Sequence, residues 1–140
     1  MIEIYRIILP VQDIERAAAF YGAVLGQAGE RVSPGRHYFR CGPVVLACYD
    51  PIADGDDLYG GWVHHPNQYV YFAVDDLELT LARVITAGGR PTSGIDEMPW
   101  GERLFYAIDP ENNPISFVDR RTTFTGSHTG TPAPPGSDAA

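Results

Sequence analysis

With 140 residues, 44% of them hydrophobic and 20% charged, the chain has the size and composition of one globular domain with a real core, which sets disordered and fibrous classes aside. A net charge of −8 without any cluster of Lys and Arg argues against a nucleic-acid partner, because such binding rests on a basic patch. No apolar run approaches the roughly 20 residues that span a bilayer, and no basic-then-apolar leader opens the chain, so no membrane partner and a cytoplasmic address are expected.

Residues 2–11, IEIYRIILPV, are rich in β-branched side chains and predict a strand. Asp13 then offers a helix N-cap. Ile14, Ala17, Ala18, Tyr21, Val24 and Leu25 follow at helical spacing, and Gly26 closes the element. A weak strand is expected over 28–32. Residues 36–49 carry two apolar runs around Cys41-Gly42-Pro43, the pattern of a hairpin. Cys41 and Cys48 suit free thiols in a reducing compartment.

Residues 51–67, rich in Pro, Gly and acidic side chains, form the expected connector between module one, 1–50, and module two, 68–120. In the second module QYVYFAV alternates as a strand. Asp75 and Asp76 start a helix, and Leu77, Leu81, Val84 and Ile85 supply its apolar stripe before Gly88-Gly89. Further strands are expected near 90–98, 102–108 and 114–119. A single offset lays Val11 on Val74, Asp13 on Asp76, Ile14 on Leu77 and Glu15 on Glu78, which marks an internal repeat. The domain thus runs over 1–120. Residues 121–140, rich in Thr, Gly, Pro and Ser, are expected to be a disordered tail in which His128 is inert.

The stretch Leu9-Pro10-Val11-Gln12-Asp13-Ile14-Glu15-Arg16, running into Phe20-Tyr21 and Leu25-Gly26, resembles the opening of vicinal oxygen chelate proteins. These include glyoxalases, extradiol dioxygenases and bleomycin-resistance proteins. Phe72-Ala73-Val74-Asp75-Asp76-Leu77 is similar to the start of that family's second module, and Asp109-Pro110-Glu111-Asn112-Asn113 to its closing turn. Asn112 stands where glycine is usual, a position that asks for φ > 0, which Asn adopts more readily than other non-glycine residues. The resemblance implies an α+β fold, with paired βαβββ modules forming a curved mixed sheet around a cleft.

It also implies four metal-ligand positions: one near the start of each module's first strand and one on each module's last strand. The first-strand positions fall on Arg6 and Tyr69, and neither is histidine. The last-strand position of module two falls on Ser116, where a carboxylate would be needed. In module one either Val45 or Ala47 takes that place, and both lack a donor. A divalent ion needs several oxygen or nitrogen ligands converging on one point, and Arg cannot be deprotonated to become one, so no metal or other cofactor is expected. His64 and His65 are adjacent and would point to opposite faces of a strand. His37 could join them only through a tertiary contact. Asp54, Asp56 and Asp57 lack the spacing and closing glutamate of a calcium loop.

Strand alternation puts Ile7, Leu9, Val70, Phe72, Val74, Ile115 and Phe117 under the helices. The opposite face would present Arg6, Ile8, Val45, Ala47, Tyr69, Tyr71, Ala73 and Ser116. One guanidinium, two phenols and one hydroxyl on an apolar wall suit an organic ligand. Arg6 there needs a partner, either a carboxylate or phosphate on that ligand or an acidic side chain of the protein. Tyr69 and Tyr71 either stack on a planar ligand or fill the cup as core. Met98-Pro99-Trp100-Gly101-Glu102-Arg103 is similar to a segment of bleomycin-resistance proteins, which implies that Trp100 and Arg103 border the ligand. The expected function is a metal-independent small-molecule-binding protein, acting as a homodimer, that sequesters or carries a partly aromatic or anionic ligand. The alternative is a lyase, isomerase or dioxygenase-related enzyme using Tyr69, Tyr71, His64 or His65 as general acid or base.

Overall fold

The computed structural model describes residues 1–56 and 67–126. Strand β1 (Arg6–Pro10) leads to helix α1 (Ile14–Leu25), followed by β2 (Glu30–Ser33), β3 (Arg36–Cys41) and β4 (Val44–Tyr49). After the connector come β5 (Val70–Val74), α2 (Leu77–Thr86), β6 (Arg90–Pro91), β7 (Asp96–Glu97), β8 (Arg103–Ile108) and β9 (Pro114–Asp119). Two mixed sheets result, one ordered β1-β4-β3-β2 and one ordered β5-β9-β8-β6, with β7 also paired to β8. In each sheet the first strand runs parallel to the last and the hairpin strands run antiparallel. This is the α+β arrangement of repeated units expected above, βαβββ in module one and the same in module two with the strand expected over 90–98 divided into β6 and β7.

Both helices begin as the sequence dictates. The Asp13 side chain accepts from Arg16 N at 3.0 Å, and the Asp76 side chain from Leu79 N at 3.0 Å, each satisfying an otherwise unpaired amide of the first turn. Gly26, at φ 70°, donates its N–H to Gly22 O and stops α1 in a left-handed cap. The stripe of α2 is narrower than expected: Leu77, Thr80 and Val84 are buried while Ile85 is exposed. β1 begins at Arg6, four residues later than the apolar run, because β4 begins only at Val44 and leaves Ile2 to Ile4 without a partner strand. Ile7, expected under the helices, is exposed at the free edge of β1.

One core joins the two modules. Phe20, Tyr21, Phe39, Phe105 and Phe117 are fully buried, each contributing on the order of 1.5–3 kcal/mol of apolar burial. Phe72, Phe117 and Phe105 lie in register on β5, β9 and β8 and stack at 5.1 and 5.3 Å, a ladder on the helix-facing side of the second sheet. Tyr21 of α1 reaches across to Phe72 at 6.3 Å, so the helix of module one packs on the sheet of module two.

The turn after β8 secures this contact. Asp109 is buried and accepts from Tyr21 Oη at 2.5 Å, from the amides of Glu111 and Asn113 at 2.8 Å, and from Asn113 Nδ2 at 3.1 Å. Asn113 Nδ2 also donates to Pro10 O at 2.7 Å. Glu111 accepts from the amides of Gln12 and Asp13, at 3.2 and 2.7 Å, and pairs with Arg16. Asn112 takes φ 67°, as the closing turn requires. Cys41 and Cys48 are both free, and burial pushes the Cys48 thiol up to about 12. Among the described residues no helix is long and apolar enough to cross a membrane.

Tyr21→Phe removes one hydroxyl and leaves a buried Asp109 oxygen short of a donor. It should cost about 1–3 kcal/mol in urea unfolding while the fold is retained, and an unchanged midpoint would show that the joint adds nothing.

Candidate functional site

Strand register decides which side chains share the outer faces, the sides of the sheets turned away from the helices. In module one Arg6, Val45 and Arg40 form one row across β1, β4 and β3, and Ile8, Ala47 and Tyr38 form the next. In module two Tyr71, Ser116 and Tyr106 align across β5, β9 and β8, followed by Ala73, Val118 and Leu104. Because Ile8 corresponds to Tyr71 in the repeat, Ala47 corresponds to Ser116. The open choice between Val45 and Ala47 is thereby resolved for Ala47.

The module-one row is cationic and partly apolar. Arg6 donates to Tyr38 Oη at 3.0 Å, and its guanidinium lies over the Tyr38 and Tyr5 rings at 5.8 and 5.3 Å. Ala47 is fully buried beneath this row and Ile8 is exposed. The module-two row is aromatic. Tyr69 and Tyr106 meet edge to face at 5.4 Å, Tyr71 meets each of them at 6.3 Å, and the Tyr71 and Tyr106 hydroxyls are 3.4 Å apart. Ser116 is fully buried on the strand between Tyr71 and Tyr106 and donates to Phe105 O at 3.1 Å, so its hydroxyl is committed to the backbone. Burial and the Tyr106 hydroxyl push the Tyr71 phenol well up, so it stays protonated at neutral pH and serves as a donor, not a base.

Trp100 sits in a turn closed by Gly101 N donating to Met98 O, with Gly101 at φ 99°. Its indole N–H donates to Glu102 Oε1 at 2.8 Å, and Glu102 Oε2 accepts from Phe124 N at 2.9 Å. One buried carboxylate therefore holds both the indole and the segment after β9. Arg120–Thr122 make a single 3₁₀ turn capped by Asp119, Thr122 Oγ1 accepts from Arg103 N, and Phe124 comes to lie beside Trp100. Trp100, Glu102 and Phe124 border a recess of about 450 Å³ with Tyr71, Ala73 and Val118. Thr123, Phe124 and Thr125, within the segment expected to be tail, thus contribute to this wall. Residues 127–140, including His128, lie outside the described residues.

Arg103 is placed elsewhere. Alternation turns it with Phe105 toward the helix side of β8, where it pairs with Glu78 of α2 and lies 3.6 Å from Asp119. His37 accepts from Arg31 Nε at Nδ1 and donates from Nε2 to Ala28 O, so both ring nitrogens are occupied. Asp54 accepts from Gly35 N and pairs with Arg36, and Asp56 accepts from Tyr49 Oη. His64, His65 and Asp57 lie outside the described residues. Among the described residues no hydrogen bond, ion pair or ring contact links Arg6 to Tyr69, Tyr71 or Ser116, but Arg40 and Pro43 of module one line one recess of about 380 Å³ together with Tyr71 and Ala73 of module two.

The metal positions implied by the resemblance are therefore Arg6, Ala47, Tyr69 and Ser116. A guanidinium, a methyl, a phenol and a hydroxyl bonded to the backbone do not fit a divalent ion. Among the described residues no group of three His, Cys, Asp or Glu side chains could hold one.

Residues 3–117 match the model of the glyoxalase/bleomycin resistance protein/dioxygenase superfamily. No curated protein matches the chain. Several solved structures share its fold. A glyoxalase-related enzyme from Fulvimarina pelagi superposes with a TM-score of 0.71 at 20% identity, covering 91% of this chain and 94% of that one. A glyoxalase/bleomycin resistance protein from Albidiferax ferrireducens T118 gives 0.68 at 23% identity, covering 84% and 98%. Lactoylglutathione lyase from Agrobacterium tumefaciens gives 0.67 at 22% identity, covering 87% and 97%.

Arg121 holds the Asp119 carboxyl down to about 2, from an ordinary value of 3.8. A depressed folded value means that this contribution is present above the ordinary value and is lost as pH falls toward 2. With Trp62 replaced by Phe, Trp100 emission should move to the red between about pH 4 and pH 2, and Asp119→Asn should produce part of that shift at neutral pH. A neutral-pH spectrum unaltered in Asp119→Asn would show that this carboxylate does not anchor the segment.

Proposed function

Because this chain belongs to the glyoxalase/bleomycin resistance protein/dioxygenase superfamily, we propose that it keeps the family's small-molecule-binding role without the metal: it binds a partly aromatic or anionic ligand on the outer faces of its sheets, to sequester or carry it. The observation that supports this reading is the strand register, which aligns Ala47 with Ile8 and Ser116 with Tyr71, so that the positions the resemblance implies for metal ligands are Arg6, Ala47, Tyr69 and Ser116. What those residues offer instead of coordination is a cation with free donors, exposed phenol rings and an apolar floor.

The reading includes a homodimer. Ile8, Tyr69 and Tyr71 expose 45%, 37% and 51% of their surface on faces that the chain does not cover itself, and pairing such faces between two copies would bury them and enclose a ligand. A cytoplasmic address accords with the two free thiols.

Protein purified without added metal should contain far less than one divalent ion per chain, and chelator should leave ligand binding unchanged. Stoichiometric metal would overturn the metal-free reading. Sedimentation should give twice the chain mass. For hits from a thermal-shift screen of aromatic acids, Arg6→Ala should weaken binding roughly tenfold, about 1.4 kcal/mol, and Tyr69→Phe by less. Affinities that neither substitution alters would place the ligand on another surface.

A further inference from the structure

All ten basic side chains are arginines, set against 18 acidic ones. Arg16, Arg31, Arg36, Arg103, Arg120 and Arg121 each pair with a carboxylate. Arg6, Arg40, Arg83 and Arg90 do not, among the described residues, and of these only Arg6 and Arg40 share a sheet face. The register puts both of them opposite Val45, one on each side, on the same outer face. Two strand spacings separate their Cα atoms by roughly 10 Å, so two long side chains from these positions can close on one group between them.

The surroundings are ready-made for that group. Tyr38, one row along, accepts from Arg6 and holds its guanidinium over the ring. The backbone of Arg40 is fixed by Gln27, whose Nε2 donates to Arg40 O at 2.9 Å and whose Oε1 accepts from Arg40 N at 3.1 Å. Gln27, Gly29, Glu30, Tyr38 and Arg40 line a recess of about 350 Å³ on the β2 side of Arg40, which adjoins the Arg6–Arg40 span without including Arg6 or Val45. Glu30 stands opposite Tyr38 on β2 and forms no ion pair with either arginine. It disfavours excess negative charge at the β2 end, leaving the Arg6–Arg40 span as the place for an anion.

We infer that Arg6 and Arg40 bracket a dianionic oxyanion group on a small ligand, a phosphate monoester or two carboxylates on one short carbon frame, over Val45. The inference rests on the ligand-binding reading above and makes its ligand class specific. Two guanidiniums offer paired N–H donors to each end of such a group, and charge-assisted bonds of this kind are the strong ones. A monoanion leaves one guanidinium unmatched.

Calorimetric titration of the full chain, stripped of metal on a chelating resin and held at low ionic strength, with phenyl phosphate, succinate, benzoate and benzyl alcohol as probes, tests this. At least one dianion should bind ten times or more tighter than benzoate, and the better of phenyl phosphate and succinate identifies the source of the charge. Arg6→Ala and Arg40→Ala should each weaken it at least tenfold. Arg83→Ala, which removes the same charge from α2, should change it less than twofold. Arg40→Ala behaving like Arg83→Ala, or benzoate equalling both dianions, overturns the bracket. If benzyl alcohol binds in a Tyr69-dependent way while no dianion is preferred, the bracket falls and the broader binding reading stands. Binding by no probe overturns the bracket.

Discussion

A buried carboxylate, Asp109, determines how the halves of this molecule meet. Burial pushes its carboxyl up, so the fold can keep it only by surrounding it with donors, and four of them converge on its two oxygens. One donor is Tyr21, from the helix of the other module. Asn113 divides its amide group between Asp109 and Pro10 O, and Glu111 extends the same turn into the N-terminus of α1, where its negative charge meets unpaired amides and the positive end of the helix. The β8–β9 turn of module two is thus a socket for the β1–α1 corner of module one.

This joint has no mirror in the other half. Where module two has a five-residue turn carrying two carboxylates, module one has only Gly42-Pro43 between β3 and β4. The repeat is therefore symmetric in its strands and asymmetric in its fastening. The outer faces follow the same division: the row on module one is arginine and aliphatic, and the row on module two is tyrosine over a sealed serine. A ligand in contact with both would meet charge at one end and rings at the other.

Much of this could be read in the sequence because it is set by local rules. Aspartates at 13 and 76 start helices wherever an apolar stripe follows, Gly26 and Asn112 accept the left-handed backbone, and alternation sorts Leu9 from Ile8 and Phe72 from Tyr71. Pairing partners were beyond it. Tyr106 and Arg40 belong to the candidate faces only because β8 runs antiparallel beside β9, and β3 beside β4, in one register out of several. Arg103 illustrates the converse. A motif resemblance put it at the ligand, yet its parity within β8 turns it to Glu78 on α2. Glu102 gave no signal because its task, joining an indole to a backbone amide 22 residues on, exists only after folding.

The identity of the residue at position 6 then bears on chemistry more than its failure as a metal ligand suggests. A divalent ion presents positive charge to an oxygen-bearing substrate, but it needs several donors held to within tenths of an ångström. A guanidinium presents a positive charge that is covalently attached and cannot be lost to competing ligands or to a change of pH. Replacing the first by the second keeps attraction for anionic oxygens while giving up the Lewis acidity that polarises them. On the reading proposed above, Arg6 would hold an oxyanion, and Arg40 on the far side of Val45, which has no ion pair among the described residues, would give it a second point of attachment.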